Sequence, residues 1–479
     1  MYVKMTATVA WIIAVVFAVV FLGIAWSVRH EAGRNFASYA VAGATLPLFL
    51  VMFTDLSTIM GAGNFIGEAA NGFSIGYSQL AFVVGEQGSK IVFALLFAGF
   101  AGRFAYRTLA EMMEDLLFRD KVSRVIIGLL MLALMIAYIG GQGMGMGLLF
   151  QQFTGVDPTY IILFFTAVFI AYTYMGGMYA VARVEFLIGM LVIGLGIIYY
   201  GSAFSLVHFS PSYLDHRLAA VGAKSLTTFQ FDPSTITLFF TGMLGVLGAQ
   251  IYWQRCFAAK DGKTARTGML IAGSIAVVAV AATAIVGMVT RALNPSLNPN
   301  LAMPWLMSHA VPIYITVAVF TLILVAANGA AASNLNSATV ILVNDFIKVF
   351  SPSMEDQAMV RWGKIMTIVV GAFGALAAMY ASTIIGLFSQ AYTLLGGSVV
   401  PVLIVGLLWK RDYSQPFKAG VRNSRVTPWG ARSGLVLGAV LAISVNIFVG
   451  LAAGVVATIV ASLIETPKNA TLSNLTPEV

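Results

Sequence analysis

Two side chains of opposite charge, Glu86 and Lys90, stand in the run Gly85-Glu86-Gln87-Gly88-Ser89-Lys90, inside a stretch that is otherwise apolar. On a helix this spacing puts both on one face, with the carboxylate nearer the N-terminus, the favourable order. Such a pair either neutralises itself or serves a solute or a proton. A second group lies just upstream: Asp55-Leu56-Ser57-Thr58, Gly61-Ala62-Gly63-Asn64, then Glu68 and Asn71. A third is Asn328-Gly329-Ala330-Ala331-Ala332-Ser333-Asn334-Leu335-Asn336-Ser337. A lone amide in a membrane helix is often only a tie between helices. Clusters of polar groups at mid-span are costly, and that cost makes them functional candidates. Asn64, Glu68, Glu86, Lys90, Asn328, Ser333, Asn334 and Asn336 are therefore the candidate solute or coupling residues. If the chain breaks near Gly61 and Gly63, freed carbonyls and half-helix ends can face a cation or a charged solute.

What must position these residues is a membrane bundle. Of 479 residues, 59% are hydrophobic and 10% charged, against about 25% charged in a soluble domain. Cys256 is the single cysteine and excludes an intramolecular disulfide. With no zinc-type cluster, phosphate-binding loop or nucleophile elbow, neither an ATP-driven pump nor an enzyme has visible machinery, and no enzymatic cofactor is expected. The stretch 7–26 is too long for a signal-peptide core and reads as a first crossing.

Stretches of about 20 apolar residues mark further crossings. They fall at 37–71, 76–100, 123–149, 158–180, 184–204, 234–254, 268–290, 310–345, 361–382 and 384–409, with 433–464 forming one tilted helix or two short ones. The total is 12 or 13. Two of these, 37–71 and 310–345, exceed one straight crossing and read as interrupted helices. Of 27 Lys and Arg residues, 21 fall in alternate connections, Arg255 among them, and four on the opposite side. The positive-inside rule then places the N-terminus outside and the basic loops in the cytoplasm. Topology thus accounts for the +8 charge without nucleic acid; lipid is the expected surround. The external connections 205–233 and 292–309 have room for short surface helices, and the segment after Glu465 reads as a polar, mobile tail. The glycines at 140, 141, 143, 145 and 147 suit close helix approach. Methionines and aromatic residues read as packing.

In their order along the chain, several motifs resemble the sodium:solute symporter family. They are Tyr174-Met175-Gly176-Gly177-Met178-Tyr179-Ala180-Val181 followed by Glu185; Gln254-Arg255-Cys256-Phe257-Ala258-Ala259-Lys260; Leu335-Asn336-Ser337 with Asp345; and Pro401 to Arg411, together with Phe65-Ile66-Gly67 and Gly76-Tyr77-Ser78. The resemblance covers about residues 36 to 435. It implies an all-α fold of two inverted five-helix repeats with discontinuous helices, the leucine-transporter type. Residues 1–36 would be an extra helix and loop, 37–409 the core (37–204 and 234–409 the repeats), and 410–479 a C-terminal appendage. It also implies a bacterial or archaeal cytoplasmic membrane and alternating access around a midplane site.

The family's sodium site would fall on carbonyls between Met60 and Gly63, with Ala326, Gly329 and Ala330 in the ninth span. Gly329 and Ala330 stand where the family has serine hydroxyls, so two oxygen ligands are missing. Glu185 replaces an aspartate on the ion's exit route, and Ile188 a glutamine. Glu86 matches a glutamate that contacts sugar in sugar-carrying relatives, while Lys90 lies outside the family pattern. The implied function is symport of a small organic solute driven by sodium or, with Lys90 standing in for the ion, by protons. The mixed charges favour an amino acid ahead of a sugar, vitamin or carboxylate. A sodium-independent facilitator, a channel or a sensor on the same fold are the alternatives.

Overall fold

A computed structural model describes residues 5–465. Apart from three isolated bridges, the described residues form helices and their connections. The expectation for the tail after Glu465 falls outside the described residues.

Ten helical runs are long and apolar enough to span a bilayer. The first is α1 (Ala7–Ala32). Next come two half-helices, α2 (Leu48–Ile59) and α3 (Glu68–Ile75), then α4 (Gln79–Phe93) and α5 (Lys121–Thr154). The run α6 (Pro158–Ser205) holds two crossings, because Gly177 (φ 46, ψ −144) bends it. A Cβ at Gly177 would sit 2.7 Å from the Tyr39 carbonyl oxygen, so the bend admits only glycine. Two more half-helices follow, α7 (Pro233–Gly248) and α8 (Gln250–Ala258), and then α9 (Gly262–Leu293), α10 (Ile313–Ile341) and α11 (Asp356–Tyr380). The last crossings are α12 (Ile384–Gly397) continued by α13 (Val399–Leu408), α14 (Pro428–Ser444) and α15 (Ile447–Glu465). The stretch 433–464 is thus two helices; with α6 counted twice and α14 included, the described helices have room for 13 crossings, the larger of the two expected counts. Short helices Pro211–Ala220 and Ala302–His309 occupy the two long connections 205–233 and 292–309.

Local chemistry sets many of these starts. Asp157-Pro158, Asp232-Pro233 and Thr427-Pro428 each pair a capping side chain with proline at the first helical position. At the head of α5, Asp120 caps Ser123 and takes both arms of Arg432 at 2.7 and 2.9 Å. Burial opposes the Asp120 charge, but the hydrogen bonds from Arg432 and Ser123 outweigh it and hold the carboxyl down to about 2.

The structure bears out one expectation about discontinuity and corrects another. Span 37–71 is over-long because a separate short helix, Phe36–Val41, precedes α2. Its break lies at Met60 (φ −82, ψ 34). Span 310–345 is not interrupted: α10 runs unbroken to Ile341. Its polar residues bond back onto their own helix, Asn328 Nδ2 to Leu324 O (3.0 Å), Asn334 Nδ2 to Ala330 O (2.8 Å) and Ser337 Oγ to Ser333 O (3.0 Å). Amides that saturate the helix ladder do not break it. The second discontinuity falls instead at Ala249 (φ −77, ψ 114), between α7 and α8. The breaks therefore occupy corresponding positions, the opening helix of each repeat, as an inverted-repeat fold requires. The half-helices α2 and α8 meet at their ends, where Leu46 N donates to Ala258 O and Lys260 N to Leu46 O.

A further correction follows. Arg255 and Cys256 are not in a loop: both are buried in α8, and the exposed connection begins near Lys260. The sequence of α8 looks loop-like because its polar residues face the bundle interior.

Candidate functional site

Breaking a helix inside a membrane frees backbone groups that must find partners. At the first break the Asn64 amide nitrogen donates to Ile59 O, and Gly63 N approaches Gln142 Oε1 at 3.4 Å. At the second, Trp253 Nε1 donates to Leu247 O at 2.8 Å. Gln250 Oε1 accepts from Leu109 N (2.8 Å) while its Nε2 donates to Arg107 O (3.0 Å). These side chains hold the two breaks open, and the interior between them is the candidate site.

Thr58, Ile59, Asn64, Glu86, Tyr138, Gln142, Ile251, Tyr252, Asn334 and Phe388 enclose it. Its free space is about 20 Å³, little more than one water needs, so a solute enters only when the helices part. Glu86 accepts from Gln87 Nε2 (2.6 Å) and from the Tyr392 hydroxyl, which in turn contacts the Tyr138 hydroxyl. Tyr138 stands edge-on to Phe388, with ring centroids 4.9 Å apart. The amide nitrogens of Asn64 and Asn334 are committed to Ile59 O and Ala330 O, which fixes their orientation. Asn64 Oδ1 and Asn334 Oδ1 are left buried without partners among the described residues. An interior carrying orphaned acceptors calls for a ligand that brings donors.

The sequence candidates separate. Asn64, Glu86 and Asn334 face this space together. Glu68 lies apart on α3, its Oε2 accepting from Gln79 Nε2 at 2.7 Å. Lys90 is buried but does not line the cavity: Nζ donates to Gln87 Oε1 at 2.7 Å and lies 4.7 Å from the centre of the Tyr252 ring. Gln87 thus stands between Glu86 and Lys90, and among the described residues the two form no direct ion pair. Asn328 is held by Leu324 O and Met146, and its own carbonyl accepts from Tyr172. Asn336 turns to the Ala40 carbonyl at 3.3 Å, beside Gln254, which donates to the same oxygen at 2.7 Å. Asn336 therefore belongs to the scaffold. Asn334→Ala should weaken solute binding roughly tenfold. Asn336→Ala should mainly lower the melting temperature, a membrane-helix hydrogen bond averaging about 0.6 kcal/mol. Uptake normalised to folded protein, beside thermal melts, separates the two; equal loss of specific uptake from both substitutions would contradict the division.

The residues aligned with a sodium site offer backbone carbonyls but no side-chain oxygen. Gly329 and Ala330 supply no hydroxyl, and Ile188 fills the space a side chain at Gly329 would need. A Cβ at Gly61 would lie 2.9 Å from that of Ala330, so the two helices pack closely there. Gly63 seats the Phe388 ring, Met60 lines a crevice of about 600 Å³ on the flank of the bundle, and Ala326 is buried.

Oxygen atoms gather around Arg255 instead. Its Nη2 reaches Ser333 Oγ (2.7 Å), Thr54 O (3.2 Å), Glu185 Oε1 (3.3 Å) and the Thr58 hydroxyl, and Nη1 donates to Ile251 O (2.9 Å). Glu185 and Ser333, both sequence candidates, thus meet a residue that charge counting had assigned to a loop. Sequence reasoning also missed the rings of Tyr138, Tyr252, Phe388 and Tyr392, which converge from α5, α8 and α12.

Comparison with known proteins bears on this geometry. The sequence profile of the sodium:solute symporter family matches residues 39–415. A sodium/pantothenate symporter of Haemophilus influenzae is 24% identical over 435 residues, 86% of this chain and 84% of its own. A sodium/glucose cotransporter of Vibrio parahaemolyticus is 24% identical over 458 residues, 85% of this chain and 82% of its own. Among solved structures, a substrate-bound, outward-open Na+-coupled sialic acid symporter superposes with a TM-score of 0.78. It shares 18% identity and covers 96% of this chain and 98% of its own.

Proposed function

The chain belongs to the sodium:solute symporter family, and from that premise we propose that it carries a neutral, polyhydroxylated small solute by cation-coupled alternating access. The observation that carries the solute class is the pair of orphaned acceptors, Asn64 Oδ1 and Asn334 Oδ1, facing the same space as Glu86 and the rings of Tyr138 and Phe388. Hydroxyl groups supply the missing donors, and an aromatic face suits the apolar face of a sugar-like ring. A zwitterionic amino acid, the solute favoured on sequence grounds, would bring its carboxylate to orphaned acceptors, with no cationic side chain among those lining the space. Lys90, the candidate cation, is turned away onto Gln87 and Tyr252. The glucose carrier among the relatives supports the same direction.

The test is a thermal-shift screen of purified protein against sugars, polyols, vitamins, carboxylates and amino acids, followed by counterflow of the best ligand in liposomes. Stabilisation by polyhydroxylated compounds and counterflow of the same compound are expected. Stabilisation by amino acids alone would overturn the solute class, and channel-like flux without counterflow would overturn the carrier.

The orientation is part of the proposal. Single cysteines at 101–122, 260–267 and 346–360, in a Cys256→Ser background, should react only after the inner face is opened. Those at 205–233 and 292–309 should react with impermeant reagent on intact cells. Reaction of the 101–122 loop from outside reverses the assignment.

A further inference from the structure

The connection between α13 and α14 carries five cations, Lys410, Arg411, Lys418, Arg422 and Arg425, against one acid, Asp412. Topology asks for such an excess of charge, but it asks nothing of geometry, and here the geometry is fixed. The segment folds back on itself, with Arg411 N donating to Asn423 O (3.0 Å) and Arg425 N to Trp409 O (2.9 Å). It is pinned to the residues ahead of α5, Asn423 N donating to Leu116 O (3.3 Å) and Gly420 N to Asp115 Oδ2 (2.6 Å). Three guanidiniums are anchored alike, each by Nε on a backbone carbonyl: Arg411 on Ser424 O (3.1 Å), Arg422 on Leu117 O (3.1 Å) and Arg425 on Lys410 O (3.0 Å). Arg411 and Arg425 are exposed, and among the described residues their Nη groups have no hydrogen-bond partner. None of the five cations forms a salt bridge among the described residues. Asp412 is taken by Ser414, whose N and Oγ donate to it at 2.8 and 2.7 Å. Burial and the charge of Arg411, with Arg119 behind them, push Arg422 down to about 10 against the pull of Glu465. Like charges crowded in this way, with free guanidinium forks, make a cradle for an anion, and phosphate is an anion such forks match.

Position says which phosphate. Leu408 closes one crossing and Pro428 opens the next, so Arg411 and Arg425 each stand three residues from the hydrocarbon. Leu408 is 69% exposed and Trp429 59%, and exposed aromatic rings at the ends of crossings mark the headgroup level. We propose that this segment is a docking surface for an anionic phospholipid, its headgroup phosphate among Arg411, Arg422 and Arg425 and its acyl chains against Leu408 and Trp429. A zwitterionic phospholipid offers the same phosphate but offsets it with its own ammonium, so the surface selects net negative charge.

Titration of detergent-solubilised protein with phosphatidylglycerol, with phosphatidylcholine of the same acyl chains and with inorganic phosphate tests it, read as melting temperature. A saturable rise of roughly 3 °C with phosphatidylglycerol alone is expected. Arg411→Gln combined with Arg425→Gln should raise the half-saturating lipid concentration roughly 30-fold. Lys263→Gln combined with Arg361→Gln removes as much exposed charge outside the segment and should change it less than about twofold. No response to phosphatidylglycerol, or an equal one to phosphatidylcholine, overturns the proposal. So does a rise that inorganic phosphate reproduces, since the cradle then takes a free anion. Equal losses from the two double variants overturn it as well, being the mark of a diffuse positive surface. The comparison of ligands uses the intact protein and decides the matter even where the arginine variant does not fold. Neither solute nor coupling ion enters these melts, so their outcome stands apart from that of the counterflow experiment.

Discussion

Glu86→Gln is expected to weaken solute binding by about 10- to 100-fold while leaving the melting temperature of the unliganded protein nearly unchanged. The carboxylate is buried in the cavity wall, with both oxygens already engaged by Gln87 and Tyr392. Each oxygen retains capacity for another donor, since an ionised carboxylate accepts at about four positions. A hydroxyl donating to a charged acceptor contributes about 1.5–3 kcal/mol, and each 1.4 kcal/mol is about tenfold in affinity. Glutamine keeps the volume but removes the charge and presents an N–H₂ group where a solute hydroxyl must donate. Tyr392→Phe should act in the same direction and more weakly, because it removes a group that aims Glu86 rather than the acceptor itself. Titration of the solute against purified protein, by calorimetry or thermal shift, provides the measurement. Unchanged affinity in Glu86→Gln would remove this residue from the binding site, even if transport fell.

The contrast between Glu86 and Lys90 shows how far the sequence was legible. Their spacing correctly put two charges inside a crossing, and helix periodicity correctly put them on one helix. It could not show that Gln87, the next residue, would reach in and separate them. Crossings were legible because a hydrocarbon layer demands long apolar runs, and the break near Met60 because Gly61, Gly63 and Asn64 advertise it. The break at Ala249 carries no comparable signal, for Gly248 is one glycine among many. Asn328 to Ser337 advertised a break that does not exist, since an amide that bonds its own helix leaves the same mark in sequence as one that caps a broken end. The aromatic wall was invisible for a different reason. Tyr138, Tyr252 and Phe388 are far apart in the chain, and only the packing of α5, α8 and α12 brings their rings around one space.

Arg255 was misread by the rule used to assign the loops to the two sides. Counting cations predicts loops because a charge in hydrocarbon is expensive, and the rule fails where a partner offsets that cost. Glu185→Ala should therefore be the most damaging single substitution in the bundle. It leaves the guanidinium buried at 1% exposure with hydroxyl and carbonyl dipoles but no carboxylate in contact. Removing one partner of a buried ion pair costs roughly 3–5 kcal/mol, a large share of the stability of any folded protein. Replacing both partners is a different matter, because two apolar residues of similar volume also remove the cost of desolvating the charges. Glu185→Leu combined with Arg255→Met should recover most of the lost stability. Thermal melts of the two single variants and the double variant form a cycle that isolates the coupling. A Glu185→Ala protein within about 1 kcal/mol of the intact one would mean that the pair is not electrostatically coupled, since that is the range of an exposed pair. The double variant also separates stability from transport. Its cavity residues Asn64, Glu86 and Asn334 are untouched, so solute binding and counterflow should survive.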